Sequence, residues 1–160
     1  DELAALARLT LNRPLHVRFI ELMPIGSSNT WAAGRYLPAD EAMKQISARL
    51  GPLLPAKKPS GGGPAKYYQL KDAEGTVGFI TSMSDHFCQS CNRLRLTSVG
   101  GLRPCLYDST EIDLKTPLRE GAGLKEIADL IMDVIALKPD RHHMSDGWRD
   151  RRRVMSQIGG

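Results

Sequence analysis

Three cysteines are the residues best suited to chemistry: Cys88, Cys91 and Cys105, which fall within 18 residues of one another. An odd count argues against a closed disulfide framework, and the clustering argues for a shared ligand. The Cys88-x2-Cys91 spacing lets a tight knuckle aim two thiolates at one centre. Cys105 returns to that centre if residues 93–97 and 102–107 form a hairpin about Val99-Gly100-Gly101. With Val99-Gly100 at the turn it faces Leu94; with Gly100-Gly101 there it faces Leu96. Three thiolates suit an iron–sulfur cluster that keeps one iron open to a substrate. They also suit a structural zinc, which needs a fourth ligand from His86, His142 or His143. Buried or free thiols without metal are the third possibility.

Arg93 and Arg95 lie beside the second cysteine. Residues two apart on a strand share a face, so the two guanidiniums should project together, with Leu94 and Leu96 opposite. Such a fork matches a phosphate or a nucleobase carbonyl, although an exposed basic strand is the plainer alternative. Other candidates are weaker. Met23 ends an apolar strand, where a core methionine is the default. His142-His143 reads more readily as a solvated pair than as ligands. Gly61-Gly62-Gly63 lacks the Gly-Lys-Ser/Thr of a phosphate loop. Glu21 and Asp113 have no carboxylate partner in sequence and receive no acid–base role. Gly159-Gly160 is either a frayed end or a tail thin enough for a narrow channel.

The elements that must position these groups follow from periodicity and punctuation. Residues 2–11 carry a helical stripe of Leu3, Leu6, Ala7 and Leu9. Residues 15–23 are rich in β-formers and are stopped by Pro24. Pro38 should open a helix and Gly51 end it, with Asp40 and Glu41 favouring its positive end. Residues 51–64 hold four prolines and four glycines, which predicts a loop and the internal boundary of the chain. Residues 67–70 and 76–82 read as strands around an Asp-Ala-Glu-Gly turn. Ile112 and Leu114 mark a short strand, and residues 123–137 an amphipathic helix built on Leu124, Ile127, Leu130, Ile131, Val134 and Ile135, ended by Lys138 and Pro139. The expected division is therefore 1–50, a loop at 51–66, and 67–160.

A chain of 160 residues fits one domain or one large piece of one. It begins at Asp1 rather than Met, which suggests a segment of a longer protein. No stretch of 18 apolar residues and no charged leader with an apolar core is found, so the expectation is a soluble cytoplasmic protein. The net charge of +4 suits an anionic partner such as a nucleotide. A zinc-stabilised basic module gripping nucleic acid is the rival. It is disfavoured because aromatic residues are only 6% of the chain, too few for stacking platforms.

The stretch Phe87-Cys88-Gln89-Ser90-Cys91-Asn92-Arg93-Leu94-Arg95-Leu96-Thr97, followed by Gly101-Leu102-Arg103-Pro104-Cys105-Leu106, resembles the C-terminal signature of the MoaA family of radical-SAM GTP cyclases. So do Val17-Arg18-Phe19-Ile20-Glu21-Leu22-Met23-Pro24, Gly26-Ser27-Ser28-Asn29 with Trp31, Gly63-Pro64-Ala65, Gly78-Phe79-Ile80 and the terminal diglycine. The resemblance spans essentially the whole chain.

It implies an α+β fold: the last βα part of an incomplete radical-SAM (β/α) barrel, followed by a mainly antiparallel iron–sulfur layer with a long amphipathic helix. Cys88, Cys91 and Cys105 resemble the three ligands of a 4Fe–4S cluster whose open iron binds GTP. Arg93, Leu94 and Arg95 match a GTP-contacting segment, Met23 an S-adenosylmethionine contact, and Gly159-Gly160 a tail that inserts toward the active site. The implied activity is a lyase of molybdenum cofactor biosynthesis that converts GTP to (8S)-3′,8-cyclo-7,8-dihydroguanosine 5′-triphosphate, working as a homodimer. A deoxyadenosyl radical takes hydrogen from C3′ of GTP, and that carbon joins C8 of guanine. The chain departs from the family in one respect: no cysteine precedes Cys88, so the CxxxCxxC radical-SAM motif is absent. Alone it should not cyclise GTP, and the N-terminal half is an implied partner.

Overall fold

A computed structural model of the chain describes residues 2–23, 25, 34–61, 63–142 and 155–158. These fold as mixed α and β structure in two compact units. One is formed by the described residues of 1–23 and 34–87; the other consists chiefly of those from 88 onward.

The first unit contains α1 (Leu3–Arg8), β1 (His16–Ile20), α2 (Ala39–Leu50), β2 (Leu54–Pro55), β3 (Lys66–Gln69) and β4 (Thr76–Ile80). Its sheet runs β1-β4-β3-β2, with β1 parallel to β4 and the other pairs antiparallel. The register pairs Phe19 with Phe79 and Ile20 with Ile80. One face of the sheet meets α1 and α2 through Ala7, Ala39, Ala42, Ile46, Val77 and Phe79. Phe79 stacks on Phe19 with ring centroids 5.6 Å apart and meets Tyr68 edge-on at 5.9 Å. Alanines on both helices allow the close approach that larger side chains would prevent.

Helix α2 begins and ends where the punctuation predicts, between Pro38 and Gly51. Pro38 lies at its N-cap position and has no side-chain oxygen to satisfy the helix's free N–H groups. Glu21, 4% exposed, does so instead: its Oε1 accepts Ala39 N–H at 2.9 Å. The same carboxylate accepts the N–H groups of Met83 and Ser84 through Oε2, at 2.7 and 2.8 Å, and the Ser84 hydroxyl through Oε1. One buried anion thus ties the end of β1 to the start of α2 and the turn after β4. Burial would raise the Glu21 carboxyl, but the bonds from Ser84, Ala39 and Met83 outweigh it and hold the group below the usual carboxylate range.

Two expectations are corrected here. The 51–66 stretch is not only a loop, because it contains edge strand β2, whose Leu54 and Pro55 pair with Gln69 and Tyr68 of β3. Proline is tolerated at such an edge because its missing N–H is not needed there. The packing also divides at Phe87/Cys88 rather than within 51–66, since β3 and β4 join the sheet of β1. The turn before β4 is fastened to the α1–β1 connection, with Gly75 N–H bonding Thr10 O at 2.9 Å. A Cβ on Gly75 would overlap Leu15 O, so only glycine fits. No barrel is formed by the described residues; both sheets are open.

The second unit contains β5 (Arg95–Leu96), β6 (Gly101–Arg103), β7 (Ile112–Asp113), α3 (Lys115–Arg119) and α4 (Leu124–Ala136), with single 3₁₀ turns at Cys88–Ser90 and Met155–Gln157. Strands β5-β6-β7 form an antiparallel sheet. Its core is Leu102, Leu114 and Val134, with Leu94, Ile112, Leu130 and Ile131 packed against it. Leu124 is 92% exposed, and along the stripe of α4 only Val134, near the C-terminal end, is fully buried.

No helix among the described residues is long and apolar enough to cross a membrane.

Candidate metal centre

Asp113 starts the ordering of the second unit locally: its Oδ1 accepts the N–H groups of Lys115 and Thr116 and caps α3. Hydrogen bonds from Thr116 come first among the causes that hold the Asp113 carboxyl below its ordinary value. It is a capping residue, consistent with the lack of any carboxylate pair in the sequence.

Cys88 and Cys91 bracket a 3₁₀ turn closed by Cys91 N–H to Cys88 O at 3.1 Å, the tight knuckle that the spacing requires. The hairpin that follows has a register that neither anticipated turn provides. Arg95 pairs with Arg103 and Leu96 with Leu102, which makes Val99 the centre. The connection is a three-residue loop: Gly100 N–H bonds Thr97 O at 3.0 Å, and Thr97 N–H bonds Gly101 O at 2.8 Å. Gly100 has φ +90°, which gives the extra twist that such a loop needs. A Cβ there would also lie 2.6 Å from Lys115 Cβ.

The ladder stops at Arg103 and Arg95, so Cys91, Arg93 and Cys105 lie beyond it. The expectation that Arg93 and Arg95 share one strand face does not follow from this geometry: Arg93 is outside the strand, and strand geometry does not set its direction. The two guanidiniums nevertheless feel each other. Burial is the main cause that lowers the Arg95 pKa, and Arg93 is the next; Tyr107, Cys105 and Cys91 act the other way.

The three cysteines share one electrostatic neighbourhood. Cys105 is half-buried, and burial pushes its thiol up, with further pushes from the Cys88 and Cys91 thiolates. The backbone N–H of Tyr107 and the ammonium of Lys138 oppose that rise. Tyr107, 8% exposed, is pushed up by burial first and then by Cys105 and Cys88, while Arg95 opposes. Its ring packs on His142, with centroids 5.1 Å apart. Lys138 donates to Arg93 O at 2.8 Å and to Pro104 O at 3.0 Å. The segments carrying Cys91 and Cys105 thus meet at one lysine.

Among the described residues, no three His, Cys, Asp or Glu side chains stand as a closed metal-holding group. That holds for the three cysteines as it does for His86 and His142, and His143 lies outside the described residues. By chemical type, three partly buried thiols with cations in the same unit are donors suited to a thiolate-held iron–sulfur cluster.

Leu94 faces the core of this unit. Met23 belongs to the first unit, half-buried three residues beyond β1. Gly159 and Gly160 lie outside the described residues. Sequence reasoning missed Tyr107 and Lys138. By pattern Tyr107 reads only as a strand residue, and Lys138 only as a helix terminator. The signal for Lys138 was its place just after a helix end, where a lysine commonly seeks carbonyl oxygens.

Residues 15–144 match the family described as Molybdenum Cofactor Synthesis C. The chain is 78% identical over 160 residues to a GTP 3′,8-cyclase of Pelotomaculum thermopropionicum, covering 100% of this chain and 49% of that protein. It is 58% identical over 159 residues to the GTP 3′,8-cyclase of Desulforamulus reducens and 52% over 164 residues to that of Heliobacterium modesticaldum, again across 49% of each. The chain therefore spans about half the length of these curated relatives.

Proposed function

This chain belongs to the Molybdenum Cofactor Synthesis C family, and on that premise we propose that it is the substrate-binding part of a GTP 3′,8-cyclase. Cys88, Cys91 and Cys105 hold a 4Fe–4S cluster by three thiolates. When bound, such a cluster offers one iron without a protein ligand, to which a substrate atom can coordinate. The observations that support the reading are the 78% identity to a GTP 3′,8-cyclase and the placing of three partly buried thiols, Arg95 and Lys138 in one compact unit.

The protein's own contribution is position and charge. Arg93 and Arg95 bind the anionic nucleotide, the half-buried Arg95 more strongly because fewer waters compete for it. Leu94 anchors that segment to the core, so the two guanidiniums keep their places when substrate arrives. Tyr107 and the Cys105 loop close one side of the site and keep water out. Met23 contacts S-adenosylmethionine, and Gly159-Gly160 enter the active site as a narrow tail. The radical-forming half, with its CxxxCxxC motif, comes from the N-terminal part of the enzyme, and the full protein acts as a homodimer. Without that half this chain does not cyclise GTP.

The test is equilibrium dialysis with GTP under anaerobic conditions, using the chain with and without reconstituted cluster. The reading predicts GTP retention by the loaded chain and little by the apo chain. Equal retention by both, or none by either when the N-terminal half is also supplied, contradicts it.

A further inference from the structure

We propose that Lys138 is the positioning residue of the three-cysteine site, joining the Cys91 and Cys105 segments through its ammonium; this rests on the three-thiolate reading above. The geometry is specific. Nζ donates to Arg93 O, two residues past Cys91, at 2.8 Å, and to Pro104 O, the residue before Cys105, at 3.0 Å. These carbonyls are 45 and 34 residues away from it in sequence. The β5–β6 ladder ends before either carbonyl, so strand pairing does not hold them together. A charged donor makes bonds to neutral carbonyls that are stronger than amide–amide bonds. The bonds therefore hold the segments where the ladder has stopped.

The lysine has a fixed base. Its backbone N–H bonds Ile135 O at 3.1 Å, at the end of α4. Val134 of that helix is fully buried in the core with Leu102 of β6, so α4 and the hairpin form one platform. The carbonyl end of the helix also favours a cation there. Lys138 thus favours metal binding by holding the donor segments together.

The experiment titrates cobalt(II) alone, under reducing anaerobic conditions, into the wild-type chain, Lys138→Met and Lys138→Arg. Sulfur-to-cobalt charge-transfer absorption reports thiolate ligation. Outer-shell partners of metal ligands typically change affinity by about 10–100-fold, and that loss is expected for Lys138→Met. Lys138→Arg should recover most of it, and the loss of metal affinity in Lys138→Met should exceed what its loss of metal-free stability accounts for. A loss of overall fold alone would lower both together without rescue by arginine. If Lys138→Met does not fold, Lys138→Gln replaces it, with a smaller loss in the same direction. Equal affinity in wild type and Lys138→Met overturns the inference while leaving the three-thiolate reading intact. A wild-type chain with no charge-transfer band overturns that reading and the inference with it.

Discussion

In the first unit, Phe79 sits in an aromatic cluster with Phe19 and Tyr68, beneath two helices that contribute Ala7, Ala42 and Ile46. In the second, Leu102, Leu114 and Val134 form one buried apolar cluster, and polar ties join further segments: Lys138 to two carbonyls, Arg103 to Asp108 O, Thr97 to Glu111. Apolar packing is non-directional, and the buried Glu21 is accommodated because its carboxylate is fully hydrogen-bonded. Polar ties fix particular backbone atoms but contribute little net stability each. The difference teaches where each unit's order comes from. The first is ordered chiefly by apolar packing between its sheet and its helices. The second joins a small antiparallel sheet and α4 to loops held by polar ties, and a ligand bound only by its folded form would stabilise it further.

The largest test of that contrast is Phe79→Ala, which removes the centre of the aromatic cluster. It should cost about 3–5 kcal/mol in urea unfolding, with faster amide exchange in β1, β3 and β4 and little change in β5–β7. Equal loss of protection in both sheets would break the distinction between the units.

A smaller effect is expected for Glu21→Gln, which weakens a cap and three turn bonds and should cost about 2 kcal/mol at neutral pH. The pH dependence has a defined sign. The folded-state pKa of Glu21 is depressed, so its contribution is complete above the unfolded value of about 4.3. It is lost as the pH falls through the lower folded value. The stability gap between wild type and Glu21→Gln should therefore close on acidification, as followed by thermal melts across that range. A gap independent of pH would mean that the carboxylate's charge is not what ties the turn.

The mildest change is Gly100→Ala. Its positive φ costs an L-residue about 1–2 kcal/mol, and the new methyl would press on Lys115. The cost should appear as faster exchange in β5 and β6, with β1–β4 unaffected. No change in the hairpin would mean that the loop relaxes freely and does not help fix the approach to Cys105.

Much of the scaffold was legible because its signals are local. Pro38 and Gly51 bracket α2, and the Cys88–Cys91 spacing forces a knuckle whatever surrounds it. What was not legible depends on partners far away in sequence. Edge strand β2 has no alternating side-chain pattern and exists because β3 offers it hydrogen bonds. The parallel pairing of β1 with β4 joins residues 60 apart. Glu21 gave no sign of its role because its partners are backbone N–H groups 18, 62 and 63 residues on. The hairpin register escaped because a three-residue loop with a left-handed glycine competes closely with two-residue turns through the same Val-Gly-Gly stretch. Likewise, the three cysteines were visible by type and spacing, whereas Lys138 and Tyr107 enter the site only through tertiary packing.

The most direct test of the central claim is anaerobic reconstitution of the chain, followed by iron and sulfide analysis and electron paramagnetic resonance before and after GTP is added. The account predicts about four irons and four sulfides per chain, with a spectrum that GTP alters. Iron absent, or a cluster spectrum indifferent to GTP, would contradict an open-iron substrate site held by Cys88, Cys91 and Cys105.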